Sequence, residues 1–189
     1  MEAIGFRRVT TIALSSLLIS SFIVITNGSF SDASSNSPEE VSAASGLNRF
    51  VVWEDLPWGG RPEIFLRRSA DNGATWKPTV NLSNNPGGSF NPEIAVSGSN
   101  VYVVWLQVNA EGTLEDVFFR RSTDNGVTWK PFVKITSIGT VGSKSTPLVT
   151  QSGSNVYVIW EQEAGEIYFR RSVDNGATWK PVINITNNP

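Results

Sequence analysis

The 189-residue chain contains no cysteine and no histidine, one methionine and three tyrosines. Without cysteine there is no disulfide framework, no zinc–thiolate site and no thiol nucleophile. Without histidine the Ser-His-Asp triad, the HExxH zinc site and the usual near-neutral proton shuttle are excluded. An excess of one charge is lacking too. Fifteen basic residues against 17 acidic ones leave a formal net charge of −2, which gives no electrostatic footprint for nucleic acid or an anionic membrane. Carboxylates, Tyr, Arg, Lys and hydroxyls remain for any chemistry. The chain is rich instead in tryptophan (7), glycine (16) and proline (10). That composition suits one all-β domain with many tight turns, with or without tails.

The first residues read as a targeting segment. Arg7 and Arg8 precede an uncharged apolar stretch, Val9 to Ile25, and small residues follow at Thr26-Asn27-Gly28 and Ser31-Asp32-Ala33. Residues 1–28 therefore read as a secretory signal peptide, or as an uncleaved anchor, because a stretch of about 17 residues just spans a bilayer. Either reading places the rest of the chain outside the cytoplasm, secreted or at the surface. Residues 29–37 form a Ser-rich, flexible leader.

The remaining residues, 38–189, repeat one unit three times. Ser69-Ala70-Asp71-Asn72-Gly73-Ala74-Thr75-Trp76 recurs at Ser122 to Trp129 and again at Ser172 to Trp179, at spacings of 53 and 50 residues. The copies extend beyond the motif: residues 64–86 match residues 167–189 at 16 of 23 positions. Upstream, Pro92 to Trp105 parallels Pro147 to Trp160, with a looser version from Pro38 to Trp53.

Each unit reads as four short strands. In the middle copy these are Ile94 to Ser97, Val101 to Leu106, Val117 to Ser122 and Phe132 to Thr136. The second is apolar on both faces, so it belongs between packed sheets. Asp124-Asn125-Gly126 between the third and fourth is a strong hairpin signal. Four antiparallel strands per period of about 50 residues make a β-propeller blade. The expected blades are 38–86, 87–139 and 140–189.

The eight-residue motif has a mechanical explanation. Asp71, Asp124 and Asp174 can accept backbone N–H bonds across their turns. Gly73, Gly126 and Gly176 can supply a positive φ. Ser69, Ser122 and Ser172, with Thr75, Thr128 and Thr178, can tie the hairpin together, and Trp76, Trp129 and Trp179 can bury rings between blades. A calcium loop is not written here, because the spacing differs from the 12-residue pattern and no closing bidentate Glu follows. The sequence calls for no metal and no cofactor.

S-x-D-x-G-x-T-W resembles the Asp box, or BNR repeat, of sialidases and related β-propellers. The resemblance covers everything after the leader. It implies an all-β fold of three four-stranded antiparallel blades, an incomplete or open propeller of the sialidase type. It also implies that the boxes lie on the third-to-fourth strand turns, away from an active site on the opposite face. The family's catalytic set is an Arg triad, a Tyr nucleophile paired with Glu, and an Asp acid/base. Residues with individual catalytic roles should occur once, yet Arg67-Arg68, Arg120-Arg121 and Arg170-Arg171 recur in every copy. Tyr102 and Tyr157 are equivalent positions, and Tyr168 stands where the other copies have Phe65 and Phe118. No catalytic residue transfers, and the catalytic residues stay unknown.

Unrepeated residues cluster in the second-to-third strand turns. Glu54, Asp55, Trp58, Arg61, Glu161 and Glu163 are the candidate ligand-binding residues, since an exposed Trp beside carboxylates suits a sugar ring or a protein partner. The leading expectation is an exported, non-catalytic module that binds glycan or protein. The alternatives are a sialidase-like glycoside hydrolase with an active site assembled across chains or belonging to a larger propeller, and a structural envelope repeat protein. Three blades fall short of the four to eight that close a propeller, so self-association or partner blades are expected.

Overall fold

The computed structural model describes residues 40–57, 60–112, 115–136, 144–162 and 165–186. The expected signal peptide and leader lie outside them, as do Trp58 and Glu163. No α-helix occurs among the described residues.

Twelve strands form three separate four-stranded antiparallel sheets. The first holds β1 (Glu40–Ser45), β2 (Asn48–Asp55), β3 (Glu63–Ser69) and β4 (Val80–Asn81). The second holds β5 (Ser89–Ser97), β6 (Asn100–Val108), β7 (Glu115–Ser122) and β8 (Val133–Lys134). The third holds β9 (Leu148–Ser152), β10 (Asn155–Gln162), β11 (Glu166–Ser172) and β12 (Ile183–Asn184). Every sheet is a simple meander in chain order, the product of tight turns between alternating apolar runs. The first strands of successive sheets pack against one another, β1 on β5 and β5 on β9. These are propeller blades, stacked side by side from their inner strands outward.

The fourth strands are shorter than the sequence suggests. In the middle blade the pairing holds only Phe118 to Lys134 and Phe119 to Val133. Single backbone bonds continue the edge on either side, from Lys130 N to Arg121 O at 2.9 Å and from Ile135 N to Val117 O at 2.8 Å. An outermost strand pairs along one side only, and Pro131 has no N–H to extend the ladder.

Two cores fill the two spaces between three blades. One joins Phe50, Val52, Ile64, Leu66 and Leu82 of the first blade to Ile94, Val101, Val103 and Trp105 of the second. The other joins Tyr102, Val104, Leu106, Val117, Phe119 and Ile135 to Val156, Val158 and Trp160. Alternate residues of β6 thus enter different cores, because successive side chains of a strand point to opposite faces. Residues 101–106 are all buried, as expected of a strand between packed sheets. In β2 and β10 burial alternates instead, because among the described residues only one face of each outer blade meets a neighbour.

Within each blade a Trp of the second strand sits directly across from an aromatic ring of the third. The pairs are Trp53–Phe65, Trp105–Phe118 and Trp160–Tyr168, with ring centroids 6.1, 6.2 and 5.8 Å apart. Such cross-strand aromatic pairs each stabilise a sheet by roughly 0.2–1 kcal/mol.

Candidate functional site

Each blade has two ends, built from different kinds of sequence. The box end carries the first-to-second and third-to-fourth strand turns, which are tied together. Asn72 N donates to Leu47 O, Asn125 N to Ser99 O and Asn175 N to Ser154 O, each at 2.8 Å. In the middle box Ser122 Oγ donates to Asp124 Oδ1 at 2.7 Å and accepts Gly126 N at 2.9 Å. Asp124 Oδ1 accepts Thr128 N at 2.9 Å, and Oδ2 accepts the Thr128 hydroxyl at 2.5 Å. The same bonds recur in the third box among Ser172, Asp174, Gly176 and Thr178, and in the first among Ser69, Asp71, Gly73 and Thr75.

These donors stabilise the charged carboxylate. The Ser69 and Thr75 bonds lower Asp71 from 3.8 to about 2. The corresponding hydroxyl and backbone donors hold Asp124 and Asp174 lower still. Both central residues of each turn are left-handed: φ is 58° at Asn125 and 74° at Gly126. The Asn tolerates this conformation and the Gly has no Cβ to object to it. The carboxylates are spent on the turn, so the box is a structural clamp.

The seams between blades absorb the repeated arginines. Arg120 Nη1 donates to Leu82 O of the preceding blade at 2.6 Å, and Arg170 Nη1 donates to Ile135 O at 2.7 Å. Partial burial lowers the pKa of both guanidiniums. Arg121 Nη1 reaches forward to Asn175 O at 2.9 Å. The box tryptophans pack backward: Trp179 meets Phe119 edge-on at 4.9 Å, and Trp129 lies against the first core.

The opposite end carries the second-to-third strand turns and the linkers, and here the unrepeated residues lie. Glu54 is at the end of β2, where its Oε2 accepts Asn91 N of the next blade at 3.0 Å. Asp55 beside it is exposed and accepts Leu56 N at 2.8 Å. Arg61 is exposed and reaches Ala110 O in the corresponding turn of the second blade at 2.7 Å. Glu161 is exposed at the end of β10, in the third blade. Glu54 and Arg61 of the first blade thus each reach across the seam to a different part of the second, while Glu161 stands on the third blade at the same end. Trp58 and Glu163 lie outside the described residues.

Sequence reasoning missed a second repeated clamp at this end. Glu63, Asp116 and Glu166 occupy one position, at the start of the third strands. Glu63 is buried and accepts the Ser83 hydroxyl and Asn85 N, the latter at 3.2 Å. Asp116 accepts Thr136 Oγ1 and Lys134 Nζ, both at 2.6 Å. Glu166 accepts Asn184 Nδ2 at 3.0 Å and the Tyr168 hydroxyl at 2.8 Å. Each ties the third strand to the fourth or to the segment that leaves it. The signal was an acidic residue recurring just before Ile64, Val117 and Ile167. The bond from Tyr168 to Glu166 raises the phenol pKa, because it stabilises the neutral hydroxyl.

Comparison with known proteins agrees with this geometry. The BNR/Asp-box repeat model matches residues 120–131, which enclose the middle box. No curated protein sequence matches the chain. Among solved structures, a Trypanosoma rangeli sialidase in complex with 2,3-difluorosialic acid superposes with a TM-score of 0.53 at 15% identity. It covers 78% of this chain and 31% of its own. The α-L-arabinofuranosidase Arb93A from Fusarium graminearum, in complex with an iminosugar inhibitor, gives 0.51 at 15% identity over 73% of this chain and 46% of its own. The chain spans less than half the length of either structure, and at these identities the likeness is one of fold. Its three blades and these neighbours give the chain a β-propeller fold like that of the sialidase and the arabinofuranosidase, with a BNR/Asp-box repeat in its middle blade.

Proposed function

We propose that the chain is an exported, non-catalytic propeller module that binds a glycan or protein ligand on the end opposite its Asp boxes. The observation that carries this reading is the fate of the arginines. A sialidase-like site needs guanidiniums free to grip a substrate carboxylate in bidentate fashion. Here Arg120, Arg121 and Arg170 are bonded to backbone carbonyls across the seams. Arg61 donates to Ala110 O. The charged residues Glu54, Asp55, Arg61 and Glu161, with Trp58 and Glu163 a few residues away in the sequence, are the proposed ligand contacts. A glycan is favoured because the structural neighbours named above are a sialidase and an arabinofuranosidase. Export rests on the basic, then apolar, N-terminal segment.

One observation favours the hydrolase reading, the Tyr168–Glu166 hydrogen bond, since the family pairs a Tyr nucleophile with Glu. Against it, Tyr168 stacks on Trp160 as Phe65 and Phe118 stack on their tryptophans. Glu166 also serves the repeated clamp, and the pair raises the phenol pKa rather than lowering it.

Purified protein should retain glycans on an array yet release no chromophore from aryl sialosides or aryl arabinofuranosides. Turnover abolished by Tyr168→Phe would establish the hydrolase. Neither binding nor turnover would leave a structural role.

A further inference from the structure

The near-zero net charge conceals a separation. Among the described residues ten cations lie toward the box end: Arg49 and, in each blade, the Arg pair and the Lys that follows the box Trp. Only the three box aspartates oppose them there. The other ten described acidic residues, from Glu40 to Glu166, lie toward the opposite end, with three cations, Arg61, Lys134 and Lys144. The boundary is sharp: in the middle blade Arg120 stands across from Val103, and Glu93 across from Val104. Ten cations less three carboxylates leave the box end with an excess of seven positive charges, and the other end has the reverse. Summed charges of this kind create potentials of several kT at a protein surface.

The positive excess is not cancelled locally. None of the ten cations pairs with a carboxylate among the described residues, and the ion pair that does form, Lys134 with Asp116, lies in the acidic half. The first Arg of each pair bonds to a carbonyl instead. Arg67, Arg120 and Arg170 donate through Nε to Lys77 O, Lys130 O and Lys180 O at 3.1, 2.8 and 2.8 Å. The same lysines donate their backbone N to the carbonyl of the second Arg at 2.9 Å in every blade. Lys77, Lys130 and Lys180 thus stand at equal positions on the outer edges of their blades. Their side chains are exposed and make no hydrogen bond or ion pair. Lys130 is exposed with a blade on each side of it, so a neighbouring blade does not cover this position. Clamps and seams account for the other charged residues that repeat at this end, and this lysine is left over.

We propose that the box-end rim is a second binding surface, on which Lys77, Lys130 and Lys180 take a linear acidic polysaccharide bearing carboxylates on successive sugars. One cation at the same place in each blade suits a polymer whose own charges recur. The arginines, held on carbonyls, add field rather than contacts. The choice of a polysaccharide over a nucleic acid rests on the export read from the N-terminal segment. The surface itself does not, and it lies apart from the ligand end proposed above.

Titration calorimetry of the full chain with polygalacturonate should show binding in about 50 mM salt that weakens about tenfold by about 200 mM, the loss expected when roughly three cations displace counterions. Dextran, a neutral polymer, should not bind. Replacing the three together, by Lys77→Gln, Lys130→Gln and Lys180→Gln, should weaken binding by at least about tenfold and leave the thermal midpoint unchanged, since these side chains hold nothing in the fold. Glu161→Ala, at the other end, should leave polygalacturonate binding intact, which separates a failure of this rim from a failure of the ligand end. No binding of polygalacturonate, binding indifferent to salt, or binding that survives the triple substitution would overturn the proposal. Duplex DNA bound while polygalacturonate is not would also overturn it, by giving the rim a different partner.

Discussion

The two ends of the blades follow opposite rules. At the box end three copies of one sentence produce three copies of one structure, down to the bonds within each turn. At the other end only the acidic clamp of Glu63, Asp116 and Glu166 is repeated, and outside it each blade differs: Glu54 holds the next blade's backbone, Arg61 bridges two turns, and Glu161 is exposed. A residue repeated and bonded alike at every blade is answering a demand that every blade makes, which is to cap its hairpin and adhere to its neighbour. A residue present once answers something local. The comparison explains why a motif as recognisable as the Asp box is uninformative about ligand, and why the ligand site is sought at the end where the repeat fails.

The largest test of this contrast is at the seam. Trp179→Ala removes the ring that stands on Phe119 and should cost about 3 kcal/mol, read as a lower midpoint in urea. A cost below about 1 kcal/mol would mean that box tryptophans do not cement the blades.

Next comes the clamp. Asp124→Ala strips Thr128 N of its acceptor, leaves Val127 N with only the backbone carbonyl of residue 124, and leaves the Ser122 and Thr128 hydroxyls without theirs. The expected loss is about 1–3 kcal/mol, with ligand affinity unchanged. Lost binding at unchanged stability would reverse the roles assigned to the two ends.

Acid provides a third, smaller test. Asp71 is lowered in the folded chain from 3.8 to about 2. Its contribution is therefore complete above 3.8, declines as pH drops below that value and is lost as pH passes through about 2. Asp124 and Asp174 have the same sign and hold to lower pH. Thermal melts should fall steeply below pH 4, and Asp71→Asn should flatten the part of that decline between pH 4 and 2. A profile unchanged by the substitution would remove Asp71 from the account.

The smallest effect on stability is expected at the opposite end. Glu161→Ala changes an exposed residue and should shift stability by no more than about 0.5 kcal/mol, while weakening ligand binding. A destabilisation as large as that of Asp124→Ala would show that this end, too, is scaffold.

Much of the fold was legible because its signals are local and tripled. The Asp-Asn-Gly hairpins, the apolar second strands and the box spacing each need only a few neighbouring residues to be understood. The candidate site was legible only as a set of unrepeated residues sharing one end. That Arg61 crosses to Ala110 and Glu54 to Asn91 joins residues 49 and 37 apart in the chain. No local pattern encodes such pairings.

The sequence alone determined that this protein is made of three like blades with a clamped turn in each, since periodicity and turn chemistry are written residue by residue. Only the tertiary structure decided which copies of a repeated residue find partners. Trp129 and Trp179 pack on a preceding blade while Trp76 is exposed. Arg120 and Arg170 close seams while Arg67 bonds within its own blade. The residues are identical in each set. Their difference comes from position in a stack, where burial requires a second surface that the same chain must bring from about 50 residues away.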